Sequence, residues 1–225
     1  METKQEKKME NNNENKKPYL ALMFITTAVC FMPMLFGLAA WNNLPESIVV
    51  HFNFNNEPDN FAPKWVTVFI LPALMAAMNI LYHLLIEKSA KGQKMPAGLK
   101  LVLKWLAPVL CLVVSALVYA YTLGNFINIS GILIPVVGLV FAAVGNYIPK
   151  MNSSAINLPG VDKSDSEGIT KAKRVVGILF VAAGVLNFAC GFFYFGRYVF
   201  MASLPVLLLG SVFAPFFLVK RSSRK

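Results

Sequence analysis

The chain has 225 residues, of which 56% are hydrophobic and 14% are charged, whereas a soluble domain carries about 25% charged residues. This composition excludes an ordinary soluble domain. The formal net charge of +10 does not indicate nucleic-acid binding, because the basic residues stand in blocks between apolar segments, where they orient spans and attract anionic lipid. We therefore predict a membrane protein that contacts lipid and does not bind nucleic acid directly.

The N-terminal residues 1–17 form a polar arm rich in Lys, Glu and Asn, which we predict to be disordered and cytoplasmic. The apolar run behind the arm has the full length of a membrane span, about 20 residues, rather than the shorter apolar core of a signal peptide. We therefore expect a retained first transmembrane helix.

Six segments are long and apolar enough to span a bilayer, which predicts an all-α integral membrane protein with a transmembrane domain at residues 18–219. Between the spans lie an outer loop (42–64) and two cytoplasmic loops (87–100 and 148–174), and a basic tail follows (220–225). Asp165 or Ser166 is predicted to cap a short helix that leads into the fifth span. The predicted spans are 18–40, 65–86, 101–123, 129–147, 175–195 and 198–219.

The basic residues predict the orientation of the spans. Nineteen of the 21 Lys and Arg residues fall on the side that holds both termini and both long loops. The other side holds only Lys64 and Arg197. Because cytoplasmic loops are enriched in Lys and Arg, we predict that both termini are cytoplasmic and that the loop 42–64 is structured and lies outside.

Few polar groups fall within the predicted spans. Asn79 and His83 lie one turn apart on the same face of the second span and form a candidate intramembrane polar site. Two interpretations stay open for them, a proton relay and a hydrogen bond between helices. Gly138 and Ala142 form a small-residue pair that favours close helix packing.

The sequence contains no recognised catalytic motif: HExxH, GxSxG, GxxxxGK[ST] and paired intramembrane carboxylates are all absent. We therefore expect no enzyme activity and no cofactor. The loop acids Glu46, Glu57 and Asp59 with His51 do not have a recognised zinc spacing, so we expect no metal site. The His and Asn side chains of the loop are instead expected to hydrogen-bond the loop's own backbone. The three cysteines lie in spans without a CxxC pair, so no disulfide is expected.

Two stretches carry a resemblance to a known family. The outer loop LPESIVVHFNFNNEPDNFAPKW (44–65) resembles the pattern LPxxIPxHFNxxGxPDxxxxK of the bacterial SdpI/YhfL membrane proteins, and the second stretch, GNYIPK (145–150), resembles their GN[YL]xPK motif. The chain departs from the family at Val50, near which the family often has Pro, and at Asn56, where the family has Gly. The family's Arg-Thr-Pro-Trp-Thr segment is replaced after Lys150 by MNSSAINLPGVDKSD.

The resemblance implies an immunity and signalling protein of the bacterial cell membrane. It would protect the cell from a secreted, membrane-active toxin peptide and hold an ArsR-type transcriptional repressor at the membrane. It implies two groups of functional residues. The candidates for toxin recognition are His51, Asn53, Pro58, Asp59 and Lys64. The second family motif contributes Gly145, Asn146, Tyr147, Pro149 and Lys150.

Two other functions are consistent with the residues. A small multi-span transporter or peptide exporter would use the prolines and glycines of the spans together with Asn79 and His83. The lack of Asp and Glu within the spans argues against a proton-coupled transporter of the usual kind. A membrane-bound enzyme has the least support, because no catalytic constellation is present.

Overall fold

The structure, a computed structural model, describes residues 17–92, 95–152 and 165–219. Within these ranges six helices are long and apolar enough to cross a membrane, which confirms the predicted all-α, multi-span architecture. The predicted N-terminal arm (except Lys17), the basic tail and parts of both cytoplasmic loops lie outside the described residues. The helices are α1 (Lys17–Ala39), α2 (Leu71–Gly92), α3 (Ala97–Thr122), α4 (Ile129–Tyr147), α5 (Ser166–Gly191) and α6 (Gly196–Leu218).

The segment between α1 and α2 folds as a two-stranded hairpin, which the sequence analysis did not predict beyond a structured loop. Its strands are β1 (Ser47–Phe52) and β2 (Pro58–Pro63). The β-branched residues of β1 favour the extended backbone, and its Ile48 is fully buried. β2 begins and ends with proline, which is tolerated because each strand of a two-stranded sheet has a free edge.

Local signals explain the helix ends. α5 begins at Ser166, well before the predicted start at Val175, because Asp165 caps it: its Oδ1 accepts a hydrogen bond of 3.0 Å from the Gly168 amide. This is the capped helix that the sequence analysis expected ahead of the fifth span. The turn that leads into α2, Val66–Ile70, is π-helical, and a short 3₁₀ segment, Ile148–Lys150, follows α4.

The chain groups into two compact units. The first unit contains α1, the base of the hairpin (up to residue 50 and from residue 61), α2 up to residue 85 and α3 from residue 104. The second unit contains the outer part of the hairpin (51–60), residues 86–103 and α4 to α6.

Within the second unit, α4 and α5 pack with their backbones in close contact. A Cβ atom built on Gly184 of α5 would collide with the backbone nitrogen of Ala142, and one built on Gly145 of α4 would lie 2.8 Å from the carbonyl oxygen of Gly177. The small-residue pair Gly138 and Ala142 therefore faces α5, as the sequence predicted. Such packing suits helices in lipid, where close van der Waals contact replaces the hydrophobic effect as the main attraction.

We expect Gly184→Ala to lower the free energy of unfolding by about 1–3 kcal/mol, because the added methyl group forces the backbones of α4 and α5 apart. Gly210→Ala on α6 is the matched control, since its Cβ would meet only the flexible end of the Leu179 side chain. Unfolding of the purified chain in mixed micelles would measure both changes. Equal stability of the two variants would contradict the close contact.

Candidate functional site at the hairpin

The hairpin pairs His51 with Asp59. The Asn53 amide donates to the Glu57 carbonyl at 2.8 Å near the turn, and the Lys64 amide donates to the Glu46 carbonyl at 2.9 Å at the base. This register places His51 directly across from Asp59, and the His51 Nδ1 atom lies 2.6 Å from Asp59 Oδ1. The two side chains are 66% and 40% exposed, so the pair is accessible from the surface.

Asn53 organises the turn between the strands. Its Oδ1 atom accepts hydrogen bonds from the amides of Asn55 (2.8 Å) and Glu57 (3.0 Å), and its Nδ2 group donates to the Glu57 carboxylate at 2.9 Å. This confirms for Asn53 the prediction that the loop side chains bond the loop's own backbone, whereas His51 pairs with the Asp59 side chain instead. Asn53 therefore fixes the shape of the turn that joins the strands of His51 and Asp59.

Asn56 has a left-handed backbone, with φ of 65°. Glycine adopts this conformation without cost, and asparagine tolerates it better than most residues, which explains why Asn stands where the SdpI/YhfL pattern has Gly. The Asn56 side chain also accepts a hydrogen bond of 2.9 Å from the Ser130 amide and donates to Asn128 Oδ1 (3.1 Å) and Ser130 Oγ (2.9 Å). Glycine has no side chain with which to make these contacts.

The hydrogen bonds of Asn56 satisfy the start of α4. The first amides of a helix have no partner within the helix and need one elsewhere. Asn128 Oδ1 accepts from the Gly131 amide at 3.0 Å, while Asn56 accepts from the Ser130 amide. The hairpin turn thereby acts as part of the N-terminal cap of α4.

Arg197, at the start of α6, holds the turn from a second direction. The residue is only 5% exposed, and its guanidinium donates to the Phe54 carbonyl at 2.8 Å and to Asn55 Oδ1 at 3.4 Å. It stacks 3.8 Å from the centre of the Tyr194 ring, and the rings of Phe54 and Tyr198 lie within 5.5 Å. These cation–π contacts stabilise the buried charge and fix the turn against α6.

The predicted recognition residues have different surroundings. His51, Asn53 and Asp59 belong to the outer part of the hairpin with Pro58, which begins β2. Lys64 lies at the base instead, where its side chain is 11% exposed, 2.9 Å from Glu46 Oε1 and 4.8 Å from the centre of the Trp41 ring. The structure therefore places Lys64 in a contact that holds the base of the hairpin.

The second predicted motif ends α4 and packs against its neighbours. Gly145 gives the close approach to α5, the Tyr147 hydroxyl abuts Gly98, and Pro149 lies against Gly177. Asn146 and Lys150 are exposed, and Lys150 Nζ donates to Asn146 Oδ1 at 3.3 Å. Gly145, Tyr147 and Pro149 thus have packing roles, and the two polar residues form a surface pair.

Asn79 and His83 join one buried polar cluster in the first unit. Thr26 Oγ1 lies 3.0 Å from His83 Nε2 and accepts a hydrogen bond of 3.0 Å from Asn79 Nδ2, which also donates to Thr27 Oγ1. The side chains of Thr26, Asn79 and His83 are at most 1% exposed. The cluster therefore joins α1 to α2 by hydrogen bonds. Of the two interpretations of Asn79 and His83, a proton relay and a hydrogen bond between helices, this arrangement matches the hydrogen bond.

Sequence reasoning missed Asn56, Asn128, Ser130 and Arg197 as parts of the site. Arg197 carried a signal, since it is one of two basic residues on the predicted outer side. Asn56 carried another, as a departure from the family's Gly. Within the described ranges, no three His, Cys, Asp or Glu side chains lie close enough to hold a metal ion.

Comparison with known proteins locates one domain. Residues 28–76 match a family described as Domain of unknown function (DUF1648), which is found in SdpI-like membrane proteins. This region contains most of α1, the whole hairpin and the start of α2. No curated protein and no solved structure matches the chain.

We expect Asn56→Ala and Asn56→Gly to open the hairpin turn, since both remove the contacts to α4. The opening equilibrium should be larger for alanine than for glycine by about five- to thirtyfold, because a left-handed backbone costs a residue with a Cβ atom about 1–2 kcal/mol. Hydrogen exchange of the Glu57 amide, which donates to Asn53 Oδ1 in the closed turn, would measure the opening.

Asn43→Ala, outside the turn, is the control, and its Glu57 amide should exchange at the wild-type rate. If this amide exchanged equally fast in the alanine and glycine variants at position 56, the left-handed backbone would not matter to the stability of the turn.

Proposed function

We propose that the chain is an SdpI-like immunity and signalling protein of the bacterial cell membrane, and that its hairpin recognises a secreted, membrane-active toxin peptide. The proposal is supported by the hairpin motif, which lies in the region that matches a domain of SdpI-like membrane proteins. The six spans are consistent with a multi-pass protein that meets such a peptide at the membrane.

One observation carries the proposal: the hairpin exposes the His51–Asp59 pair on a turn that is tied down internally. Asn53 fixes the turn, and Asn56 and Arg197 hold it from α4 and α6. Binding to a preorganised loop loses little conformational entropy, so a short surface contact can reach useful affinity. A hairpin with only a scaffold role would have no need to expose the His51–Asp59 pair.

The charges at the turn indicate the kind of peptide. Glu57 and Asp59 are exposed, whereas Arg197, whose guanidinium bonds the turn, is buried. The accessible surface of the turn is therefore acidic around the His51 ring. A cationic segment of a membrane-active peptide is complementary to this surface and would be steered toward it.

A cytoplasmic partner is the second part of the proposal. The predicted cytoplasmic end of α4 exposes Asn146 and Lys150, next to a loop rich in basic residues. An ArsR-type repressor docking at this end would link toxin recognition to transcription, if toxin binding changes the affinity of the inner surface.

We expect His51→Ala to lower the toxin concentration that a sensitive bacterium survives by at least about tenfold, because it removes the exposed half of the pair. Survival would be measured in a strain that lacks its own immunity gene, challenged with an SDP-type peptide. Asp59→Ala should have a similar effect, and Asn53→Ala should act through the shape of the turn.

Ser47→Ala is the matched control, an exposed polar residue of the same hairpin that makes no described contact with the turn. It should protect as well as the wild type, with equal amounts of each variant in the membrane fraction. Full protection by all three variants at His51, Asn53 and Asp59 would exclude the hairpin as the recognition site.

Transport is the alternative function, and the buried cluster of Asn79, Thr26 and His83 is the observation that favours it. We favour a packing role for the cluster, because each of these side chains has a hydrogen-bond partner on the other helix. The two functions make different predictions for His83→Ala.

If the cluster has a packing role, His83→Ala should lower the stability of the purified chain by about 0.5–2 kcal/mol and leave toxin protection unchanged in cells. If the protein is a transporter, proteoliposomes should show peptide flux that disappears in this variant. Detectable flux with His83-dependence would replace the immunity proposal with transport.

A further inference from the structure

The first unit contains a cavity of about 230 Å³ that neither the hairpin site nor the Asn79 cluster uses. Its wall is formed by β1, by the π-helical turn and first residues of α2, and by α3. Most of the lining side chains are apolar, including Val49, Leu71 and Val118. The cavity therefore lies between two membrane-spanning helices and beside the strand that carries His51.

The wall offers little to a polar ligand. Its hydroxyl-bearing residues are Thr67, Ser115 and Tyr119. The hydroxyl oxygens of Thr67 and Tyr119 are fully buried and do not border the open space. A serine hydroxyl within a helix, as at Ser115, commonly bonds the carbonyl of the preceding turn and needs no other partner. The cavity therefore suits an apolar ligand, because a polar group would lose its hydrogen bonds to water on entering it.

The cavity opens toward the outer surface of the helices. Leu71 and Val114 line it and are 37% and 42% exposed. Leu74, one turn after Leu71 on the same side of α2, is 55% exposed and continues this apolar surface. Because α2 and α3 are both long and apolar enough to cross a membrane, the opening is continuous with the surface that contacts lipid.

The α2 side of the wall contains an irregular turn. The Leu71 amide donates to the Val66 carbonyl, five residues earlier, and Pro72 has no amide to donate. Such π-helical turns are frequent at functional sites. Empty space beside the turn is unfavourable, because the side chains around it lose van der Waals contacts that close packing supplies. A ligand that fills the space restores those contacts.

We propose that this cavity binds an alkyl chain of a membrane phospholipid, which enters between Leu71 and Val114 and packs against Val49 of the hairpin. The chain reaches the opening directly from the bilayer and has no polar group that the wall would leave unsatisfied. An apolar cavity of about 150 Å³ in another protein stays dry and binds benzene, so this larger one has room for part of a chain. The bound chain thus contacts the strand that carries His51. This inference does not depend on the proposed immunity function.

The test follows the methionine methyl groups of the full chain by NMR. The protein is held in micelles of digitonin, a steroid detergent without an alkyl chain, and dioleoylphosphatidylglycerol is added. Met75 lies in the wall of the cavity, whereas Met78, 42% exposed on the same helix, lies outside it. Met75→Leu and Met78→Leu assign the two signals. We expect the Met75 signal to shift and saturate as the chain fills the cavity, whereas the Met78 signal should change without saturation.

Two matched valines of α3 test the location. Val114→Trp places a ring at the opening of the cavity and should abolish the saturable shift of Met75. Val109→Trp, at a position that is 41% exposed and outside the cavity, should leave the shift unchanged. Val118→Phe fills the cavity from inside and should also abolish the shift, so the location is still tested if Val114→Trp fails to fold.

Three results would overturn the proposal: no shift of Met75, a Met75 signal that changes in parallel with Met78, or a saturable shift that persists in Val114→Trp and Val118→Phe. An apolar segment of a peptide is the other occupant to test. If an SDP-type peptide shifts the Met75 signal and phospholipid does not, the cavity binds peptide and the lipid proposal fails.

Discussion

A polar group that enters the bilayer is costly unless it finds a partner within the protein, and this constraint accounts for most of the structure. In hydrocarbon no water is present to bond an exposed amide or carbonyl, so each span is a helix that satisfies its own backbone. The ends of the helices need other partners, because the first amides and the last carbonyls of a helix have none within it. At α4 that need is met partly by Asn128 and partly by Asn56 from the hairpin, so the outer loop supports the fold while it presents a surface.

The same constraint explains which features of the fold could be predicted from the sequence. The spans were predictable because length and apolar content decide them locally, and the Asp165 cap was predictable because it acts within one turn. The hairpin was not, because two short strands depend on pairing across a turn rather than on a long pattern. The contacts of Asn56 with Ser130 and of Arg197 with Phe54 join residues far apart in sequence, and one sequence does not report such pairs.

Family resemblance and physical reading agree best at Asn56. The pattern that the hairpin resembles has glycine at this position, and the φ of 65° at Asn56 is a left-handed backbone that glycine adopts without strain. Asparagine keeps that backbone and adds a side chain that bonds Asn128 and Ser130. The departure from the family pattern therefore strengthens the hold on the turn instead of weakening the resemblance. At Lys64 the resemblance is a poorer guide. The residue matches the motif, but its charge is paired with Glu46 at the base of the hairpin.

Whether a polar side chain has a hydrogen-bond partner, and whether it is exposed, helps to distinguish residues that stabilise the fold from residues that are available for another function. In the turn and in the Asn79 cluster, the donors and acceptors meet one another, so these groups stabilise the fold whatever else they do. His51 and Asp59 differ because the two side chains bond each other and are still exposed. Thr67 and Tyr119 differ in the other direction, since their hydroxyl oxygens are buried without a hydrogen-bond partner in the described part of the chain. Because burial without a hydrogen bond is unfavourable, that arrangement persists only if the packing of the rest of the unit over-determines it.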